Sequence, residues 1–227
     1  MSNYFDIIYP DTDNDYFKKF AQYLCWRFFS RHHSNILNVG CGKGVLDQYI
    51  KNQKRYNIYG IDLREYNHSL LVFDEFKKCN IEKDEFPFSA NTFDYVFSKS
   101  VIEHIYNADN MMKQTLRVLK PGGTVLFMTP DWQSQMSHFW DDYTHVHAWT
   151  LKSLVNCMKI HGFNNVQGEL FYQLPFVWKH PKLKFIPKII SLLPQSMKWK
   201  DNTMTNGRDN KLIRFSKERM LLVWAKK

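Results

Sequence analysis

The sequence predicts an α/β protein with a mainly parallel sheet and helices on both faces. Short apolar runs of strand length alternate with stretches of helical apolar spacing across residues 35–172. A glycine-rich turn, Gly40-Cys-Gly42-Lys-Gly44, joins the first such run to the first such helix. Turns of that kind sit at the carboxyl ends of parallel strands, where open α/β sheets bind ligands. The composition, 44% hydrophobic and 23% charged, is that of a packed chain and not of a disordered one.

Each element follows from its pattern. From Asp15 to about His33, Phe17, Phe20, Ala21, Leu24 and Phe28 keep helical spacing and predict a leading amphipathic helix. Asn35–Val39 reads as a strand, Val45–Lys51 as a helix and Tyr56–Ile61 as the next strand. Phe93–Phe97 is a strand and Ala108–Leu119 a helix, which Lys120-Pro-Gly-Gly123 stops before a strand at Thr124–Thr129. Leu151–His161 is a helix ended by Gly162, and strands follow at Val166–Tyr172 and Arg219–Ala225. Between those last two, four prolines (Pro175, Pro181, Pro187, Pro194) break the rhythm among lysines and bulky residues such as Trp178, Phe185 and Trp199. The expectation is one domain. It has a helical lead (1–34), a ligand-binding core (35–172), an inserted basic aromatic cap of short helices (173–215) and a final strand (216–227).

Charge is uneven along the chain. Residues 1–168 hold 18 Lys/Arg and 18 Asp/Glu, whereas residues 169–227 hold 13 against 4, which accounts for the net +9. The C-terminal part therefore faces something anionic (a phosphate, a membrane surface or nucleic acid) or is a solvated basic face. Cys25, Cys41, Cys79 and Cys157 are far apart with no CxxC pair, which points to reduced thiols. The start, MSNYFDIIYPDTDND, lacks an apolar core of signal-peptide type. No run reaches the roughly 18 apolar residues of a membrane span. Together these give the expectation of a cytoplasmic protein, at most peripheral to a membrane.

The glycine turn offers backbone N–H groups and the positive end of a helix to its ligand. A dinucleotide fingerprint needs glycine at position 45, which is Val45, so the spacing is GxGxG. No Lys-Ser/Thr follows the glycines, which excludes a P-loop. Asp62, in YGIDL, ends the second strand 22 residues after Gly40. A carboxylate there can accept hydrogen bonds from both hydroxyls of a ribose.

NVGCGKG, YGIDL, CNIEKDEFPFSANTFDYVFSKSVIEHI and LRVLKPGGTVLFMTP stand in order over residues 36–130. This set resembles the class I S-adenosylmethionine-dependent methyltransferases, in particular the broad type 11 methyltransferase domain. The resemblance implies a Rossmann-like, mainly parallel seven-stranded sheet and S-adenosyl-L-methionine as cofactor. It makes Gly40, Gly42, Gly44 and Asp62 cofactor residues, sets Asn80 and Ile81 beside the adenine, and lines the methionine end with Ser98. Asn38 and Asn80 stand where the family pattern has acids. An amide binds an amino or ammonium group less strongly than a carboxylate does, so the expectation is a modest cofactor affinity.

Groups able to serve an acceptor are concentrated in SHFWDDYTHVHAWT, residues 137–150, just past the fifth strand. A hydroxyl acceptor needs its proton removed during attack, and His145 is the candidate base with Asp142 its helper. The alternative is that these histidines cap the Leu151 helix and satisfy backbone groups. DDYTHVHAWTLKSL and the ending RFSKERMLLVWAKK are similar to methyltransferases of bacterial and viral surface-glycan synthesis. That likeness implies O-methylation of a sugar hydroxyl on a glycan or lipid-linked precursor. Glu103-His104, in SVIEHI, resembles a stretch where RNA 3′-end and quinone-precursor O-methyltransferases bind a divalent ion through Glu-x-x-Glu-His. Here Ser100 occupies the first glutamate position, so no metal site is expected. A quinone-type small molecule, an RNA 3′ end and a non-catalytic scaffold stay open as alternatives. The cap, 175–200, fits a substrate lid or a contact with an anionic membrane. Nucleic acid is the weaker reading, because no RNA module accompanies the charge.

Overall fold

Asn35–Val39 forms strand β1, and four of its five residues are buried, as a strand covered on both faces requires. The computed structural model describes residues 14–53, 56–64, 72–198 and 209–227. The first 13 residues of the predicted lead and Trp199 of the predicted cap lie outside them.

Around β1 stand β2 (Asn57–Asp62), β3 (Glu75–Lys78), β4 (Phe93–Lys99), β5 (Leu119–Pro130), β6 (Asn164–Phe171) and β7 (Met220–Lys226). They make one seven-stranded sheet in the order β3-β2-β1-β4-β5-β7-β6. The first five strands of that order are parallel, and β7 runs antiparallel to both its neighbours. The expected Rossmann-like, mainly parallel sheet is therefore what the chain forms.

Side chains alternate across the strands and separate two cores. On one face, α1 (Asn14–Arg27) and α2 (Val45–Lys51) bring Phe20, Leu24 and Ile50 to Ile36, Ile58 and Phe97. On the other, α3 (Ala108–Val118) and a helix at Leu151–Ile160 bring Met111, Met112, Leu154 and Met158 to Leu37, Val96 and Val125. Between these two helices lies α4 (Trp132–Gln135), so the Leu151 helix is α5. Thr150 caps α5 in a reciprocal box with Ser153.

Beyond shifts of a residue or two at strand ends, the structure differs from expectation at three places. The leading helix stops at Arg27, short of His33, whose φ of 54° belongs to a turn. β5 begins at Leu119 and carries the Lys120–Gly123 turn inside it, with a register shift between Phe93 and Tyr95 on its partner strand. β3 was not apparent in the sequence. It is a four-residue edge strand, EFKK, with no buried side chain.

The cap is a series of short helices: α6 (Pro175–Lys179), α7 (Phe185–Ile190) and α8 (Lys211–Lys217), with 3-10 turns at Pro181–Lys184 and Gln195–Lys198. α6 packs into the core through Val177 and Trp178, where Trp178 stacks on Phe171 at 5.4 Å and meets Phe20 at 5.4 Å. Among the described residues, no helix is long and apolar enough to cross a membrane.

Candidate active site

The carboxyl ends of β1, β2, β4 and β5 share one edge, and the turns that follow them build the site. Between β1 and α2, Gly40, Gly42 and Gly44 all have positive φ (74°, 53° and 71°). A Cβ at Gly40 would lie 2.5 Å from Val101 Cγ2, so glycine is what lets the turn after β4 sit against this loop. The N–H groups of Gly40 and Cys41 donate to Ile61 O, at 2.8 and 3.1 Å, and tie the loop to β2. Asp62 then accepts from Gly42 N at 2.9 Å and from Arg64 N at 3.0 Å. Each of its oxygens keeps a second lone pair, enough for a pair of hydroxyls. A glycine cradle with an acid at its rim fits a ligand carrying a ribose.

Asn38 has a different surrounding from the one its motif position implies. It is 6% exposed, and its amide donates to both carboxylate oxygens of Asp47, at 3.0 and 2.8 Å. Asp47, in the first turn of α2, is 1% exposed; burial pushes its carboxyl up to about 7, against the pull of the Asn38 hydrogen bonds. The amide at 38 thus holds a buried acid in the loop's foundation. Ser98 is 2% exposed and donates to Val39 O at 2.7 Å, beneath the loop. Asn80 closes the turn after β3, its Oδ1 accepting from Glu82 N at 3.1 Å. Ile81 is buried, and its carbonyl accepts from Asn110 Nδ2 at 3.0 Å.

The 137–150 segment is pinned onto the 3-10 turn Ile102–His104 that follows β4. Val146 N and His147 N both donate to Glu103 O, at 2.9 and 3.0 Å, and Trp149 Nε1 donates to Ile102 O at 3.1 Å. His145 comes to rest between Phe139 and His104, with ring centroids 4.4 and 4.8 Å away. Its Nδ1 lies 2.6 Å from Phe139 O, which can only accept. Nδ1 therefore carries a proton, and Nε2 is the nitrogen that holds the lone pair in the neutral tautomer. His104 repeats the arrangement. Thr144 Oγ1 donates to Asp142 Oδ1 at 2.7 Å and lies 2.9 Å from His104 Nδ1, which leaves the His104 Nε2 unprotonated as well. Burial, with a smaller contribution from His145, lowers the pKa of His104 and keeps it neutral.

Asp142 differs from its expected part. It stands 3.9 Å from His145 Nε2, beyond hydrogen-bond reach, and orients His104 through Thr144 instead. Glu103, 1% exposed, accepts from Thr129 Oγ1 at 2.9 Å, and burial pushes it up to about 7. One ligating atom from each of Glu103, His104 and His145 lies within 4.8 Å of the others. The absence of glutamate at position 100 had argued against a metal site, yet His145 brings the third donor from 41 residues beyond His104. Lys99 also escaped the sequence reading. Burial lowers its pKa while nearby Glu103 opposes the shift. Trp140 and Tyr143 stand exposed on the same segment.

A family model described as a methyltransferase domain matches residues 13–168. The chain is 30% identical over 149 residues to phosphoethanolamine N-methyltransferase 2 of Caenorhabditis elegans, covering 59% of this chain and 33% of that one. It is 33% identical over 116 residues to the human mitochondrial ubiquinone biosynthesis O-methyltransferase, covering 45% of this chain and 30% of that one. The chain thus spans about a third of the length of these curated relatives. Among solved structures, Haemonchus contortus phosphoethanolamine N-methyltransferase 2 in complex with S-adenosyl-L-methionine shares the fold, with a TM-score of 0.62 at 18% identity over 98% of this chain and 59% of that one. Strand order, glycine cradle and family match agree, and the chain belongs to the class I S-adenosylmethionine-dependent methyltransferases.

Proposed function

We propose that the enzyme transfers a methyl group to a hydroxyl, with His145 as the base. The observation that carries this reading is the hydrogen bond that orients the His145 ring. Its Nδ1 donates to Phe139 O, which leaves Nε2 as the nitrogen able to take a proton, on a segment pinned to the turn that meets the glycine loop. The relatives do not decide the acceptor atom, since one is named for transfer to nitrogen and the other for transfer to oxygen. A nitrogen nucleophile already has its lone pair, whereas a hydroxyl needs a base in place. This site supplies one.

In this reading Gly40, Gly42 and Gly44 bring bare backbone to the cofactor, Asp62 takes its ribose hydroxyls, and Asn80 and Ile81 flank its adenine. Ser98 supports the loop from below. When bound, S-adenosyl-L-methionine would supply an electrophilic methyl whose C–S bond breaks as the new O–C bond forms, the sulfur leaving as a neutral thioether. His145 Nε2 takes the hydroxyl proton as the oxygen attacks. His104, held by Thr144 and Asp142, stands beside it. The exposed rings of Trp140 and Tyr143 suit the face of a sugar, so the acceptor class is a sugar hydroxyl of a glycan or lipid-linked precursor.

A second reading takes a quinone-type phenol as acceptor. It is favoured by the Glu103-His104-His145 cluster together with the ubiquinone-pathway relative. There Glu103, His104 and His145 would hold a divalent ion, whose charge would acidify the hydroxyl.

The test is tritiated methyl transfer into separate sugar, lipid-linked and phenol acceptors, with and without a strong chelator. His145→Ala should lose about 10²–10⁴-fold in turnover while calorimetry shows cofactor binding intact. Full turnover in that variant rejects the assignment. Loss of activity in chelator, restored by a divalent ion, selects the second reading.

A further inference from the structure

The second half of the cap turns a row of apolar side chains to solvent. Phe185, Ile189 and Leu192, spaced i, i+4 and i+7 along α7 and the turn after it, are 56%, 62% and 83% exposed. Leu193 and Met197 extend the row and are exposed too. The opposite side is anchored: Pro187 is buried, and Lys217 of α8 donates to Ser191 O at 2.7 Å. Lys179, Lys182 and Lys188 flank the row, exposed, and none of them makes an ion pair among the described residues.

We propose that this face of the cap docks the enzyme on an anionic lipid bilayer. The row of Phe185, Ile189 and Leu192 enters the boundary between headgroups and acyl chains, and the lysines meet the lipid phosphates and carboxylates. Charge complementarity selects this occupant, because the whole net charge of +9 lies in residues 169–227. A second copy of the same face would set lysines against lysines in an isologous contact. Single-stranded nucleic acid wants stacking rings, and this row is aliphatic apart from Phe185. The inference goes beyond the proposed reaction and does not depend on which acceptor is methylated.

The experiment is co-sedimentation of the full chain with phosphatidylcholine vesicles, with and without phosphatidylserine, at low and high ionic strength. Binding is expected only to the anionic vesicles, and it should weaken with salt. Ile189→Glu/Leu192→Glu should lower partitioning by about tenfold or more. Lys182→Glu/Lys188→Glu should do the same through the loss of headgroup attraction. All four side chains are exposed, so both variants should keep the parent's urea midpoint and its calorimetric affinity for S-adenosyl-L-methionine. Those readouts separate failure of docking from failure of the enzyme. The proposal is overturned by absence of co-sedimentation, or by binding that neither variant weakens. It is equally overturned if the apolar variant abolishes a concentration-dependent dimer, or if RNA is retarded in a gel, while vesicles are not bound.

Discussion

Two buried carboxylates in this molecule meet opposite fates. Asp47, beneath the glycine loop, is 1% exposed, and burial pushes its pKa up to about 7. Glu218, between α8 and β7, is 4% exposed and is held down at about 2. Burial raises both. At Asp47 the opposing partner is the neutral amide of Asn38. At Glu218 it is a pair of cations, Lys198 Nζ at 2.6 Å and Arg214 Nε at 2.8 Å, with His138 Nε2 3.0 Å away. Desolvation sets the sign unless full opposite charges stand in contact. The cofactor half therefore holds an acid that burial inclines to neutrality, and the cap is fastened by an ionised one.

Removing the ionised acid should do the most damage. Glu218→Gln takes the carboxylate from Lys198 and Arg214, and should cost about 3–5 kcal/mol in urea unfolding at neutral pH. Because its folded pKa lies below the ordinary 4.5, the stabilisation is present above about pH 4.5 and is lost as pH falls toward 2. The gap between parent and variant should close over that window. A gap that persists at pH 2 would show that packing, not charge, holds the cap. The next largest effect comes from placing a second acid at the first site. Asn38→Asp sets two carboxylates at the present amide distance of 2.8–3.0 Å and should cost about 3 kcal/mol at pH 8. The exchange Asn38→Asp/Asp47→Asn restores one acid and one amide and should recover most of that loss. No recovery would mean that the positions are not paired.

The sequence carried the cofactor half well, because its information is local. Asn35–Val39 and Val45–Lys51 are bounded by glycines and fall within the residues observed. β3 was invisible: four residues, half of them lysine, give no alternation to detect. The Asn38–Asp47 pair was legible in principle, since a tight GxGxG turn returns the first turn of α2 to the end of β1. The acceptor side could not be read, because its contacts depend on chain return. Asp142 lies next but two to His145 in sequence, but the backbone gives its Oδ1 to Thr144 and gives His145 to the Phe139 carbonyl. Lys198 and Glu218 are likewise joined only because the cap folds back onto β7.

The effect most diagnostic of burial, a gain rather than a loss, is Asp47→Asn. The folded pKa of Asp47 lies above its ordinary 3.8, so the unfolded chain ionises first. Parent stability should then fall as pH rises from 3.8 through about 7, with no penalty below that window. An amide at 47 has nothing to ionise and can still pair with Asn38. The variant should match the parent near pH 4 and exceed it by up to about 4 kcal/mol at pH 8, read from urea midpoints across the range. Its affinity for S-adenosyl-L-methionine should stay within about threefold, since Asp47 is covered by the loop rather than open to a ligand. A stability difference that does not vary with pH would show that Asp47 ionises as freely as an exposed acid. A large loss of affinity at constant stability would instead make Asp47, through Asn38, the acid that the motif lacks at position 38.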